Sequence, residues 1–120
     1  MDPFIYNWGT QYNDTLKKMA TTPKVKNDRK LAHLLSYEPH ITVQQLSRIQ
    51  CPTLVIGGDH DVLRPRHTML IAESIPKSYL WILPNSGHST PIFYKDQFNA
   101  VVGDFFSKPY RKIEGFGRFE

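Results

Sequence analysis

The sequence predicts an α/β fold built on a small parallel sheet, and three observations predict it. Thr53-Leu54-Val55-Ile56 is a short, continuous apolar run that stops at Gly57-Gly58. Tyr79-Leu80-Trp81-Ile82-Leu83 is a second such run, stopped by Pro84. Each run is followed by a helical pattern. Uninterrupted apolar strands separated by a helix suit a parallel sheet covered on both faces.

Residues 1 to about 50 read as short helices joined by polar turns. Tyr12, Leu16 and Met19 share one helical face, and Leu31, Leu34 and Leu35 share another, with Asn27 or Asp28 available as its cap. Pro23 and Pro39 punctuate the connections. Thr42 with Gln45 forms a capping box, Ile41 can staple onto Leu46, and that short helix ends near Ile49.

Residues 51–107 are more regular. The strand at Thr53 is expected to be buried on both faces, and Cys51 just before it to carry a buried or half-buried thiol. Pro65 suits the first turn of a helix running through Met69, Leu70, Ile71 and Ile75 to Pro76. The second strand follows, with Trp81 packed at its middle. Tyr94, Phe98, Val101, Val102, Phe105 and Phe106 then make one apolar helical face, interrupted by Gly103. Residues 108–120 form a basic tail with Lys108, Arg111, Lys112 and Arg118, expected to be solvated and poorly ordered.

Composition excludes several classes. Of the 120 residues, 40% are hydrophobic and 22% charged, as in an ordinary globular chain. No apolar run approaches a membrane span, and the N-terminal ten residues lack the form of a signal peptide. A single cysteine excludes an internal disulfide and suits a cytoplasmic setting. The net charge of +4 owes part of its excess to the tail, where Tyr110, Phe116 and Phe119 lie near the basic residues as in a nucleic-acid footprint, but a solvated tail is the plainer reading and no nucleic acid is expected as a partner.

Chemistry gathers beyond the carboxyl ends of the strands in such sheets. Those loops are Gly57-Gly58-Asp59-His60-Asp61-Val62-Leu63-Arg64-Pro65 and Pro84-Asn85-Ser86-Gly87-His88-Ser89-Thr90. Neighbouring strands lie ~4.8 Å apart, so Asp61 and His88 emerge from one edge of the sheet within reach of a hydrogen bond. A carboxylate so placed fixes the imidazole tautomer and leaves the other nitrogen free as a general base. The plainer readings are a turn-former before Pro65 and a loop histidine bonded to backbone. Asp59 is a rival acid, read rather as a loop-former that bonds backbone N–H groups, with His60 exposed beside it. His33, His40 and His67 read as surface residues. The spacing of Asp59, His60, Asp61 and His88 supports no metal site, and no cofactor is expected.

The stretch from Cys51 to Pro65 resembles the acid-bearing strand and loop of α/β-hydrolases. Asn85-Ser86-Gly87-His88 resembles the loop that brings the catalytic His, and the helix from Tyr94 to Phe106 resembles the final helix. The resemblance covers about residues 49 to 107. It implies a partial α/β-hydrolase fold: its last two parallel strands with flanking helices, preceded by short helices from the cap or the cap-to-sheet segment. It implies that Asp61 and His88 are the acid and base of a Ser–His–Asp triad in an acyl- or ester-type serine hydrolase with a small-molecule substrate. The Gly-x-Ser-x-Gly nucleophile elbow is absent, since none of the seven serines is so flanked, and so is the His-Gly pair of the oxyanion loop. A C-terminal fragment inactive by itself is therefore expected. An open strand edge predicts a homo-oligomer, a dimer in the simplest case, or docking with the missing N-terminal half. The alternative is a non-catalytic α/β module for self-association or partner binding.

Overall fold

A computed structural model describes the backbone of residues 3–119 and the side chains from Tyr6 onward. Met1 and Asp2, which opened the signal-peptide reading, and Glu120 at the end of the tail lie outside the described residues. The chain divides into two compact units, residues 1–42 and 43–120.

The first unit holds α1 (Pro3–Lys18) and α2 (Pro23–Tyr37), packed on one another. The helix α2 starts earlier than Asn27 or Asp28 would have it. Pro23 opens the first turn, where its missing N–H costs nothing, and the Thr22 hydroxyl accepts from the Val25 N–H at 3.2 Å. The faces that meet match the expected ones only in part: Leu16 is buried, whereas Tyr12 and Met19, read on the same face, are exposed. Asn13 and Leu16 of α1 and Val25 and Ala32 of α2 are buried, whereas Leu31, Leu34 and Leu35 are exposed. Small and polar side chains let the two helices approach. Gly9 lies near Ser36, and the Asn13 amide donates to the Ser36 hydroxyl at 2.8 Å.

Arg29 joins the two helices by reaching the end of α1. Its Nε donates to the Leu16 carbonyl at 3.0 Å, and Nη2 donates to those of Lys17 at 3.2 Å and Met19 at 3.0 Å. Leu16 and Lys17 lie in the last turn of α1 and Met19 just beyond it, where a helix end leaves carbonyls short of partners; the Leu16 carbonyl also accepts the Met19 N–H at 3.3 Å.

The second unit runs α3 (Val43–Leu46), β1 (Thr53–Gly58), α4 (Pro65–Ser74), β2 (Ser78–Leu83), α5 (Thr90–Phe93) and α6 (Lys95–Ser107), then a 3-10 turn at Gly115–Phe119. The short helix α3 begins directly after Thr42 and packs on α4. The strands are parallel, in a register that pairs Thr53 with Ser78 and Gly58 with Leu83. Pro65 opens α4, which packs on both strands. A Cβ on Gly57 would come within 3.1 Å of the Thr68 side chain, so glycine lets α4 sit close against β1. Strand residues alternate between faces. Leu54, whose rung partner is Tyr79, therefore faces away from α4, and Phe105 of α6 meets the Tyr79 ring edge-on at 5.9 Å.

Several expectations are corrected. The strands are not buried on both faces: Thr53 to Ile56 are half-buried and Leu80 is exposed, because two strands with these helices leave much apolar area uncovered. Cys51 is exposed, since it precedes β1 in the connecting loop rather than entering the sheet. The apolar face of α6 is half-buried except for Phe106, which points to solvent. The start of the tail is tied to β2: the Arg111 N–H donates to the Tyr79 hydroxyl at 2.8 Å, and the Tyr110 ring packs on that of Tyr79 at 5.3 Å. No helix among the described residues is long and apolar enough to cross a membrane.

Candidate active site

The last rung of the sheet pairs Gly58 with Leu83, so the loops carrying Asp61 and His88 leave side by side. Backbone bonds continue past it. The Asp59 N–H donates to the Leu83 carbonyl and the His60 N–H to the Ser86 carbonyl, both at 3.0 Å. Gly58 makes this approach possible. A Cβ there would stand 2.0 Å from the Ser86 carbonyl oxygen, far inside contact distance. Pro84 ends β2, and Asn85 turns the chain in the left-handed region, φ 54°, which asparagine tolerates better than most residues.

The His88 loop is held from both sides. Asp59 accepts the Asn85 N–H on Oδ2 and the Ser86 N–H on Oδ1, each at 3.0 Å. The His60 ring donates to Asp59 Oδ1 from Nδ1 at 2.8 Å. The His60 bond first, and then the two backbone bonds, hold the Asp59 carboxyl well below the usual carboxylate range. On the inner side, the buried Ser86 and Thr90 hydroxyls bond each other at 2.7 Å, and Thr90 donates to the Gly87 carbonyl at 3.2 Å. The Tyr94 hydroxyl donates to the Asn85 carbonyl at 2.7 Å.

The two predicted site residues meet. Asp61 Oδ1 lies 2.9 Å from His88 Nδ1 and also accepts the Leu63 N–H at 3.2 Å. The Asp61 side chain is 11% exposed and that of His88 67%. Burial alone would raise the Asp61 carboxyl. Hydrogen bonds from the Leu63 N–H and the His88 ring, the ring's charge and the backbone at Gly58 outweigh it, so Asp61 titrates below the usual range. An ionised carboxylate can only accept, so Nδ1 of the His88 ring is the donor in this contact, and in the neutral imidazole Nε2 is the nitrogen with the lone pair. His88 lines an open cleft of about 510 Å³ together with Asn85, Ser86, Gly87, Ser89, Phe93 and Tyr94. A basic nitrogen at the edge of a cleft, oriented through its other nitrogen, can take a proton from a hydroxyl or a water.

The rival acid Asp59 is engaged with backbone and His60, not with His88. Among the described residues, no three His, Cys, Asp or Glu side chains gather as metal ligands would. Sequence reasoning did not find Ser86, Thr90 and Tyr94 as supports. Hydroxyls that bond across three, four or nine residues leave no periodic trace, although Pro84 did mark the end of the strand.

No family model matches the chain. A stretch of 69 residues, 57% of the chain, is 35% identical to serine hydrolase BPHL of Mus musculus and covers 24% of it. The chain therefore spans about a quarter of that curated relative's length. Among solved structures, the chain is similar to the serine hydrolase CarC involved in carbazole degradation, with a TM-score of 0.61 and 22% identity over 72% of this chain and 35% of that one. It is also similar to MGS-M2, an alpha/beta hydrolase enzyme from a deep-sea metagenome library of the Medee basin. The TM-score there is 0.62 and the identity 24%, over 94% of this chain and 42% of that one.

Proposed function

This chain carries part of the α/β-hydrolase fold, and on that premise we propose that Asp61 and His88 are the acid and base of a Ser–His–Asp triad for acyl- or ester-bond hydrolysis. The observation that supports this most is the 2.9 Å contact between Asp61 Oδ1 and His88 Nδ1, made across loops that leave adjacent parallel strands. Asp61 orients the ring and stabilises the imidazolium. His88 Nε2 takes the proton of the attacking hydroxyl and then delivers it to the leaving group. The attacking serine and the oxyanion donors come from outside these 120 residues, which hold no Gly-x-Ser-x-Gly segment. The isolated chain is therefore inactive, and the substrate is a small molecule met only in the complete enzyme.

Two measurements test this reading. The isolated chain should turn over p-nitrophenyl acetate no faster than its histidine content alone predicts. Robust turnover, abolished by His88→Ala and strongly reduced by Asp61→Ala, would contradict the inactivity. Replacing the corresponding segment of a related serine hydrolase with residues 43–120 should give an esterase that His88→Ala slows by at least ~10³-fold. A folded, active chimaera indifferent to His88→Ala removes the catalytic assignment.

A second reading, association without catalysis, draws on a different observation. Among the described residues β1 pairs with β2 alone, and Leu80, Met69 and Leu70 are exposed. Such an edge accepts another strand. We expect a homodimer by size-exclusion chromatography with light scattering. A single species at the 13.9 kDa chain mass at micromolar concentration would show the edge to be closed within one chain.

A further inference from the structure

Two acidic side chains leave the end of β1 two residues apart, and each grips a different part of the His88 loop. Asp61 holds the imidazole itself. Asp59 holds the backbone at Asn85 and Ser86, with one carboxylate oxygen for each N–H. We propose that Asp59 is a positioning residue for the Asp61–His88 pair, its carboxylate clamping the backbone of the His88 loop to the strand end that carries Asp61. The inference rests on the catalytic reading of that pair.

The geometry explains why the clamp matters. The loop leaves β2 through Pro84, and His88 stands four residues beyond it. One bond from the Asp59 loop would still allow the segment to swivel. Two bonds to adjacent N–H groups, to the two oxygens of one planar carboxylate, fix its orientation as well as its distance. Ser86 bonds in two directions, its N–H to Asp59 and its carbonyl to the His60 N–H. The segment just before Gly87 and His88 is thereby locked to the Asp59–His60 backbone, and Asp61 follows at once. His88 is mostly exposed, so packing does little to aim its ring. The aim comes from the loop backbone. Ser86 with Thr90 and Tyr94 with Asn85 brace the loop from its own C-terminal side, but only the Asp59 bonds tie its backbone to a side chain of the loop that holds the acid.

The test reads the ring rather than overall stability. In the ¹⁵N-labelled chain at about pH 8.5, where imidazoles are neutral, two-bond ¹H–¹⁵N correlations report which nitrogen of each histidine carries the proton. The wild-type His88 should be mostly the Nδ1–H form, and Asp61→Asn should abolish that preference. Asp59→Ala should lower the ratio of Nδ1–H to Nε2–H about tenfold, the factor expected from losing a charge-assisted clamp. Asp59→Asn, which keeps one acceptor oxygen, should fall between the two. His33, His40 and His67 serve as internal references and should not move. A ratio that Asp61→Asn abolishes and Asp59→Ala leaves at the wild-type value overturns the positioning role alone. A wild-type His88 with no Nδ1–H preference overturns the catalytic reading and this inference together. Should Asp59→Ala fail to fold, Asp59→Asn decides, and an unchanged ratio there overturns the proposal.

Discussion

The two units of this chain each use one charged side chain to grip backbone that belongs to another element, and the grips are opposite in sign. In the helical unit, Arg29 donates to the carbonyls of Leu16, Lys17 and Met19 and closes the end of α1. In the sheet unit, Asp59 accepts from the N–H groups of Asn85 and Ser86 and closes the gap between two loops. The surroundings differ more than the grips do. Around Asp59 stand a glycine where any Cβ would collide with the Ser86 carbonyl, a buried Ser86–Thr90 pair and continued backbone bonds. Around Arg29 the support is an Asn13–Ser36 bond and a few buried side chains, while Leu34 and Leu35 face solvent. The strand-end loops are thus fixed by several contacts acting together. The helical pair hangs on a few separable ones.

The sharpest way to break this comparison is at Gly58. Gly58→Ala drives a Cβ to 2.0 Å from the Ser86 carbonyl, and backbone on both loops must move. A loss of about 4 kcal/mol is expected by chemical denaturation, together with loss of the His88 tautomer preference. If Gly58→Ala costs no more than an exposed substitution, the loops are not coupled as described. Arg29→Ala comes next, at about 2 kcal/mol, because three carbonyls at a helix end lose a charged donor. Its effect should fall on helical circular dichroism and leave the His88 spectrum untouched. A change at His88 would mean that the two units are not independent.

Ser86→Ala removes a buried hydroxyl whose partner, Thr90, still donates to the Gly87 carbonyl. About 1 kcal/mol is expected, measured by urea denaturation. A smaller, pH-dependent difference separates the wild type from Asp61→Asn. The Asp61 carboxyl titrates below its unfolded value of about 3.9. The stability it adds is therefore complete above the unfolded value and is lost as pH falls through the lower folded one. Unfolding curves of the two proteins should converge below about pH 4. A gap that widens on acidification would reverse the sign. The smallest effect has the opposite direction. Nothing lies within 4 Å of a Cβ placed on Gly103, in the middle of α6, so Gly103→Ala should stabilise the chain by about 0.5 kcal/mol.

The readability of the sequence follows the same division. Apolar runs and strand-ending Gly and Pro carried β1, β2 and the pairing of Asp61 with His88, because a parallel register converts strand ends into neighbours. Periodicity picked out Leu16 of α1 but misjudged α2. Leu31, Leu34 and Leu35 look like a buried face, yet they are exposed, and α2 buries the isolated Val25 and Ala32 instead, with Asn13 and Leu16 buried on α1. Asp59 was legible as a backbone-bonding residue. That its partners lie 26 and 27 residues away, on the other loop, was not, since a lone aspartate after glycine gives no hint of whose N–H groups it meets.

The rung that pairs Gly58 with Leu83 has one more consequence. Asp61 stands three residues beyond it on one side and His88 five on the other, and those two short counts set the distance between the groups. The 27 residues that separate them along the chain do not. An insertion or deletion in the crossover through α4 leaves the counts unchanged, so that segment can drift in length. A single residue gained or lost between Gly58 and Asp61, or between Leu83 and His88, shifts the whole alignment. Tolerance to indels is thus divided sharply along one short piece of chain, and mapping it would locate the pair without reference to any substrate.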